Sequence, residues 1–221
     1  MDSAQQQMQA FLDELVASGH ERGLQMAVYR DGELIVDAYA GIVDPATNKP
    51  VTGDTLFPVF STTKGVAATL LHRLVQRGLL HYDMPIAEVW PGFAAHGKGG
   101  ILVRHALNHT TGLHFMPMGI GYREMVDWDV MCAAIADLTP VSAPGEIFHY
   151  QAVTYSWLVG EVVRRVGGKS FGQLLASEIT VPLGIADSMF VGIPDEVEPR
   201  VAVLEDEYAR NSGVPIPDDS E

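Results

Sequence analysis

Asp31-Gly32 lies between two apolar runs, Leu24 to Tyr29 and Leu34 to Tyr39. An Asp-Gly pair tolerates the positive φ angles of a tight hairpin turn, so the two runs predict antiparallel strands. This hairpin constrains the fold more than any other feature, because two strands alone are marginal in water. It needs further strands or a layer of helices against it, and the rest of the chain reads as helices. Met8, Phe11, Leu12, Leu15 and Val16 recur at helical spacing and predict an amphipathic helix over 3–18, stopped by Gly19. Residues 41–56 carry Gly, Pro, Asn, Thr and Asp and read as loop. An apolar helix after Ser61 runs through Val66, Leu70, Leu71, Leu74 and Val75 and stops near Gly78. Shorter helices are expected before Pro91 and over 101–108, 122–138, 155–166 and 170–179. Residues 92–100 hold four glycines and read as a mobile surface loop. From about 193 the chain turns acidic and Pro-containing, and Asn211 to Glu221 reads as an unpacked tail.

Charge narrows the partners. The net charge of −14 repels phosphate backbones, which argues against nucleic acid and anionic membranes. The single cysteine, Cys132, allows no internal disulfide and lies in an apolar run, where it reads as a buried small residue. The first seven residues lack a basic and an apolar targeting region, and no apolar stretch reaches a membrane span. A soluble, cytoplasmic protein is the expectation.

Four stretches could carry chemistry. In Phe57-Pro58-Val59-Phe60-Ser61-Thr62-Thr63-Lys64-Gly65, Ser61 and Lys64 are three apart and share a helix face. A hydroxyl nucleophile would then face an amine at a helix's first turn, where free N–H groups favour an oxyanion. The competing reading is a capping serine and a solvated lysine. His105 and His109, four apart with His114 nearby, could offer two ring nitrogens to zinc. Residue 106 is Ala, so the general-base Glu of H-E-x-x-H is missing, and no carboxylate or cysteine completes the set. Gly168-Lys169-Ser170-Phe171-Gly172 matches the G-x-S-x-G elbow, which needs a strand before it. A helix is expected there instead, and no histidine follows Ser170, so a helix cap is the better reading. Tyr150, in Pro144-Gly145-Glu146-Ile147-Phe148-His149-Tyr150-Gln151-Ala152, reads alone as a half-buried aromatic. Beside a serine–lysine pair, its phenol could accept and pass on a proton.

Taken in order, these stretches carry a resemblance. Phe57 to Lys64, then Gly78-Leu79-Leu80…Asp83-Met84-Pro85, then Val103-Arg104-His105-Ala106-Leu107-Asn108-His109-Thr110-Thr111-Gly112-Leu113, then Pro144-Gly145…Phe148-His149-Tyr150 and Pro182-Leu183-Gly184-Ile185, resemble the serine β-lactamase-like superfamily. Within it, the chain is similar to class C β-lactamases, DD-peptidases and above all family VIII carboxylesterases, over roughly residues 8–195. The resemblance implies an α/β region, an antiparallel sheet flanked by helices, beside a mainly helical, all-α region. Residues 1–56 would supply the first helix and hairpin, 57–192 the helical region, and 193–221 a tail leading onward. It makes Ser61 the acylated nucleophile, Lys64 the amine that helps deprotonate it, and Tyr150 the phenol that completes proton transfer. His105 and His109 become structural residues.

Two departures shape the expected function. The family's second motif often ends in Asn, which holds a β-lactam's side-chain amide, whereas this chain has Tyr150-Gln151-Ala152. A methyl cannot hold an amide carbonyl, so small carboxylic esters are favoured over β-lactams. The family's closing strands, with a third motif and a second oxyanion donor, match nothing in these 221 residues, so the sheet is expected to be incomplete. The expected function is a serine esterase working through an acyl-enzyme with no metal or organic cofactor. The alternatives are a catalytically incomplete fragment or binding module, and a β-lactamase or DD-peptidase. A second polypeptide or self-association would supply the missing strands.

Overall fold

In the computed structural model the chain divides into two compact units, Met1–Pro58 with Ile193–Glu221, and Val59–Gly192. The structure describes residues 3–205. Asn211 to Glu221, read above as an unpacked tail, lies outside the described residues.

In the first unit, α1 spans Ala4–Ala17. Ser3 and Gln6 form a reciprocal capping box at its start, with the Gln6 N–H donating to Ser3 Oγ at 3.2 Å and the Ser3 N–H to Gln6 Oε1 at 2.8 Å. Strands β1 (Gly23–Arg30) and β2 (Glu33–Asp44) pair antiparallel around Asp31 and Gly32, whose φ angles of 52° and 84° are both positive. Leu12 of α1 packs on Val36 and Ala38 of β2, so the helix covers one face of the hairpin. Gln5 adds a clamp: its side chain donates to the Asp37 carbonyl (3.0 Å) and accepts from the Asp37 N–H (2.7 Å).

Residues 41–56 are not the plain loop expected from their composition. Strand β2 runs on to Asp44, and a short β3 (Lys49–Pro50) pairs with it antiparallel. The Asp44 carboxylate accepts the Ala46 N–H at 2.8 Å and closes the turn between them. The turn residues in this stretch hid Val43 and Val51, which are buried together with Ala202. Residues 200–203 return to this unit: the Leu56 N–H donates to the Arg200 carbonyl (2.9 Å), and the Val203 N–H to the Val43 carbonyl (2.9 Å). The sheet order is β1-β2-β3, and among the described residues β1 pairs with β2 alone.

The second unit is helical. A 3₁₀ turn at Phe60–Thr62 leads into α2 (Thr63–Gln76), followed by α3 (Ile86–Val89), a 3₁₀ segment over Pro91–Gly100, and α4 (Val103–Leu107). Next come α5 (Tyr122–Met125), α6 (Trp128–Ala136), α7 (Thr154–Gly167) and α8 (Phe171–Leu175), which runs into a wider turn at Ala176–Thr180. Leu70, Leu71 and Leu74 of α2 share one core with Leu158, Val159, Val162 and Val163 of α7 and Met131 and Ile135 of α6. That packing places the start of α2 beside the start of α7, where the site forms.

Two expectations change here. Residues 92–100 are built into the unit despite their glycines: Phe93 and Lys98 are fully buried. The Lys98 ammonium donates to the Ala95 and Leu138 carbonyls, so two of its buried donors are partnered, while burial lowers its pKa. The helix expected over 122–138 is split in two, because Asp127 caps α6 by accepting the N–H groups of Asp129 (3.0 Å) and Val130 (3.1 Å). Among the described residues no helix is long and apolar enough to cross a membrane.

Candidate active site

Ser61 lies on the 3₁₀ turn just ahead of α2, where the first N–H groups of a helix have no intrahelical acceptor. The residue before it, Phe60, has φ 41°. A bulky side chain in the left-handed region is a backbone outlier costing on the order of 1–3 kcal/mol, and such strain clusters at functional sites. The Lys64 ammonium donates to Ser61 Oγ at 3.1 Å and to the Ala152 carbonyl at 2.9 Å. It also sits 5.0 Å from the centre of the Tyr150 ring. The two turns carrying Ser61 and Tyr150 are thus joined through one amine.

Tyr150 is exposed, and its phenol is held below the ordinary tyrosine value. A hydrogen bond with Ser61 is the largest cause, followed by a hydrogen bond with Lys64, and the Lys64 charge adds to both. An ammonium has three donors and no lone pair, so while Lys64 is charged it cannot take the proton of Ser61, and the phenol oxygen of Tyr150, once ionised, is the base beside it. The cluster can therefore remove a proton from a hydroxyl and hand it to a leaving group.

His109 was read from the sequence as structural, and the structure adds a specific position. Its ring lies 4.9 Å from that of Tyr150 and 5.0 Å from that of Tyr155. Its Nδ1 accepts the Gln151 N–H at 3.1 Å, and its carbonyl accepts the His149 N–H at 3.0 Å. The histidine thus braces the backbone on both sides of Tyr150. Burial, and then the Lys64 charge, lower its pKa and favour the neutral ring that this accepting Nδ1 requires. His105 is turned elsewhere, accepting the Leu102 N–H at its own Nδ1 (3.1 Å). Among the described residues no group of three His, Cys, Asp or Glu side chains is placed to hold a metal ion.

Ser170 is not part of this cluster's hydrogen bonds. It caps α8, its side chain accepting the Gln173 N–H at 3.3 Å while its own N–H donates to Gln173 Oε1 at 3.0 Å. Helix α7 precedes it, ending at Gly168 with φ 68°, so the strand that a nucleophile elbow needs is replaced by a helix.

A family model described as Beta-lactamase matches residues 8–221. The esterase/beta-lactamase LipL of Mycobacterium tuberculosis is 38% identical over 82% of this chain and 42% of its own length. A penicillin-binding protein homolog from Caulobacter crescentus superposes with a TM-score of 0.83 at 40% identity, over 89% of this chain and 53% of that one. A family VIII carboxylesterase gives a TM-score of 0.84 at 34% identity, over 90% of this chain and 54% of its own. The chain spans about half the length of the relatives it matches.

Proposed function

The chain belongs to the beta-lactamase family, and we propose that it carries the nucleophilic half of a serine esterase, with Ser61 as nucleophile, Lys64 as its amine partner and Tyr150 as general base. Ser61 Oγ attacks the carbonyl carbon of a small carboxylic ester while its proton passes to the Tyr150 oxygen. The oxyanion forms near the Ser61 N–H at the start of α2. The alcohol then leaves with the proton, and water repeats the sequence in reverse on the acyl-enzyme. The observation that carries this reading is the bridge from Lys64 Nζ to both Ser61 Oγ and the Ala152 carbonyl, with the centre of the Tyr150 ring 5.0 Å from the same ammonium.

Ala152 supports esters over β-lactams. A β-lactam's side-chain amide would meet a methyl group there and lose a hydrogen bond when desolvated. A second reading, β-lactamase activity, is favoured by the dual name of LipL. The open side of β1 supports a further proposal: strands from a second polypeptide or a second copy of this chain complete the sheet. One preparation tests these points. Purified residues 1–221 are expected to turn over p-nitrophenyl acetate, to leave nitrocefin unchanged, and to run in solution heavier than a monomer. Nitrocefin turnover above ester turnover would replace the esterase reading. A stable monomer would end the proposal of a strand partner.

His109 supplies a separate prediction. His109→Ala removes the ring that braces Tyr150 and the acceptor of the Gln151 N–H. Small misplacements of catalytic groups cost up to about 10²-fold in rate. The loss is expected in kcat with little change in KM, and His109→Asn, which can still accept that N–H, is expected to restore part of it. Equal losses in both variants would mean that the accepting atom does not matter.

A further inference from the structure

Two tyrosine rings face the Lys64 ammonium, and the proton transfer uses only one of them. The centre of the Tyr150 ring lies 5.0 Å from Nζ, and that of the Tyr155 ring lies 5.8 Å from it. Both fall within the reach of about 6 Å over which a ring face attracts a cation. Their surroundings differ. Tyr150 is exposed, whereas Tyr155 is buried in the core of the helical unit. Burial raises the Tyr155 pKa, so its ring stays neutral where Tyr150, held low, ionises. We propose that Tyr155 is a positioning residue for the reaction: its buried ring is the inner wall that keeps the Lys64 ammonium lodged between two aromatic faces, in reach of Ser61 and the Tyr150 phenol. The proposal rests on the esterase reading and adds a residue to its machinery.

The ring is held from two directions. Tyr155 is the second residue of α7, and the residue before it anchors that turn: Thr154 Oγ1 donates to the Leu113 carbonyl at 2.6 Å. Against one side lies the His109 ring, its centre 5.0 Å away and its plane tilted by 36°. The Tyr155 hydroxyl reaches the Lys64 carbonyl only at 3.5 Å, too long for a strong hydrogen bond. What Lys64 meets is therefore the ring face, whose negative potential attracts an ammonium, and more so as water is excluded. The two hydrogen bonds of Lys64, to Ser61 and to the Ala152 carbonyl, leave the ammonium free to swing about the line between its acceptors. The pair of ring faces limits that swing. The ionisable groups set against the ammonium are the two phenols and the His109 ring, whose own pKa burial and then the Lys64 charge lower. With the Tyr155 face weakened, the ammonium spends less time beside the Tyr150 phenol. Part of what holds that phenol below its ordinary value is then lost, while the larger cause, the hydrogen bond with Ser61, stays.

Graded fluorination tests the ring face while nearly keeping its shape, so the fold is not put at risk. Residues 1–221 are prepared as Tyr155→Phe and with phenylalanine carrying one, two or three ring fluorines at position 155. Fluorine withdraws electron density from the face and weakens its hold on a cation. The Tyr150 phenol is titrated by carbon NMR of labelled tyrosine, its resonance identified by its loss in Tyr150→Phe. Tyr155→Phe should retain the low Tyr150 midpoint, because the ring and not the hydroxyl does the holding. Each fluorine should then move the midpoint to higher pH, by less in total than Lys64→Met does. With p-nitrophenyl acetate, kcat should fall in step, by on the order of tenfold at three fluorines, with KM steady. In Lys64→Met, fluorination should leave the midpoint where that substitution put it. A Tyr150 midpoint indifferent to fluorine, or one that moves as far in Lys64→Met, would overturn the assignment and leave Tyr155 as a core side chain. A change confined to KM would also overturn it, since Tyr155 lines the cavity of about 220 Å³ beside Ser61 and would then act on the substrate. No ester turnover in any of these proteins would overturn the esterase reading, while the Tyr150 midpoint would still decide the role of Tyr155.

Discussion

Ser61→Ala is expected to abolish ester turnover, with a loss on the order of 10⁶-fold in kcat, as when the nucleophile of a serine protease is removed. The fold should survive the change. Ser61 is exposed, and its side chain accepts from Lys64 without supporting any core residue. Surface substitutions of this kind stay within about 0.5 kcal/mol. Lys64 keeps its second acceptor, the Ala152 carbonyl, so no buried charge is stranded. Ser170→Ala is the contrasting variant. It removes the acceptor of the Gln173 N–H and should cost about 1 kcal/mol of stability while leaving turnover within a few-fold. Thermal melts and p-nitrophenyl acetate kinetics on both proteins separate the two roles. Turnover retained in Ser61→Ala and lost in Ser170→Ala would transfer the chemistry to the other serine.

The elements legible in the sequence are those whose side chains pattern locally. The hairpin was readable because Asp31-Gly32 supplies both positive φ angles its turn uses. The apolar spacing of Leu70, Leu71 and Leu74 gave α2, and Ser170, read as a helix cap, gave the start of α8. What escaped depends on distant partners. Strand β3 has two residues and exists because Val43 and Val51 find Ala202, about 150 positions away. Residues 92–100 looked mobile because glycine density outweighed one aromatic and one lysine, and the lysine's burial depends on the Leu138 carbonyl. The site divides the same way. Ser61 and Lys64 are neighbours on one turn, and Tyr150 was named from its place in a family pattern. No spacing rule could announce that the Ala152 carbonyl would anchor Lys64, that His109 would brace Tyr150, or that Trp128 and Phe171 would both pack against Gly160 of α7. One local signal was available: His109 lies in the turn-rich Asn108-His109-Thr110-Thr111-Gly112 stretch, where the structure gives it φ 63°.

Lys64→Met and Tyr150→Phe are each expected to lower kcat by about 10³–10⁴-fold, near the upper limit of general acid–base contributions. The double variant should lose little more than either alone. Lys64 and Tyr150 act on the same proton, and groups that work as a unit give non-additive losses. The pH dependence distinguishes their parts. The phenol becomes a base as it loses its proton, so activity should rise with pH, and the rise should begin below the ordinary phenol range near about 10 because the Tyr150 pKa is lowered. Tyr150→Phe should remove this rise from the residual activity. Lys64→Met should keep it and move its midpoint to higher pH, since the Lys64 hydrogen bond and charge are lost while the larger contribution, the hydrogen bond with Ser61, remains. The measurement is kcat/KM against pH for the three proteins, with the double variant measured at one pH. If the rise survives in Tyr150→Phe, another group is the base. If the losses multiply in the double variant, Lys64 and Tyr150 act in separate steps, and the bridge from Lys64 Nζ to Ser61 and Ala152 serves the nucleophile without tuning the phenol.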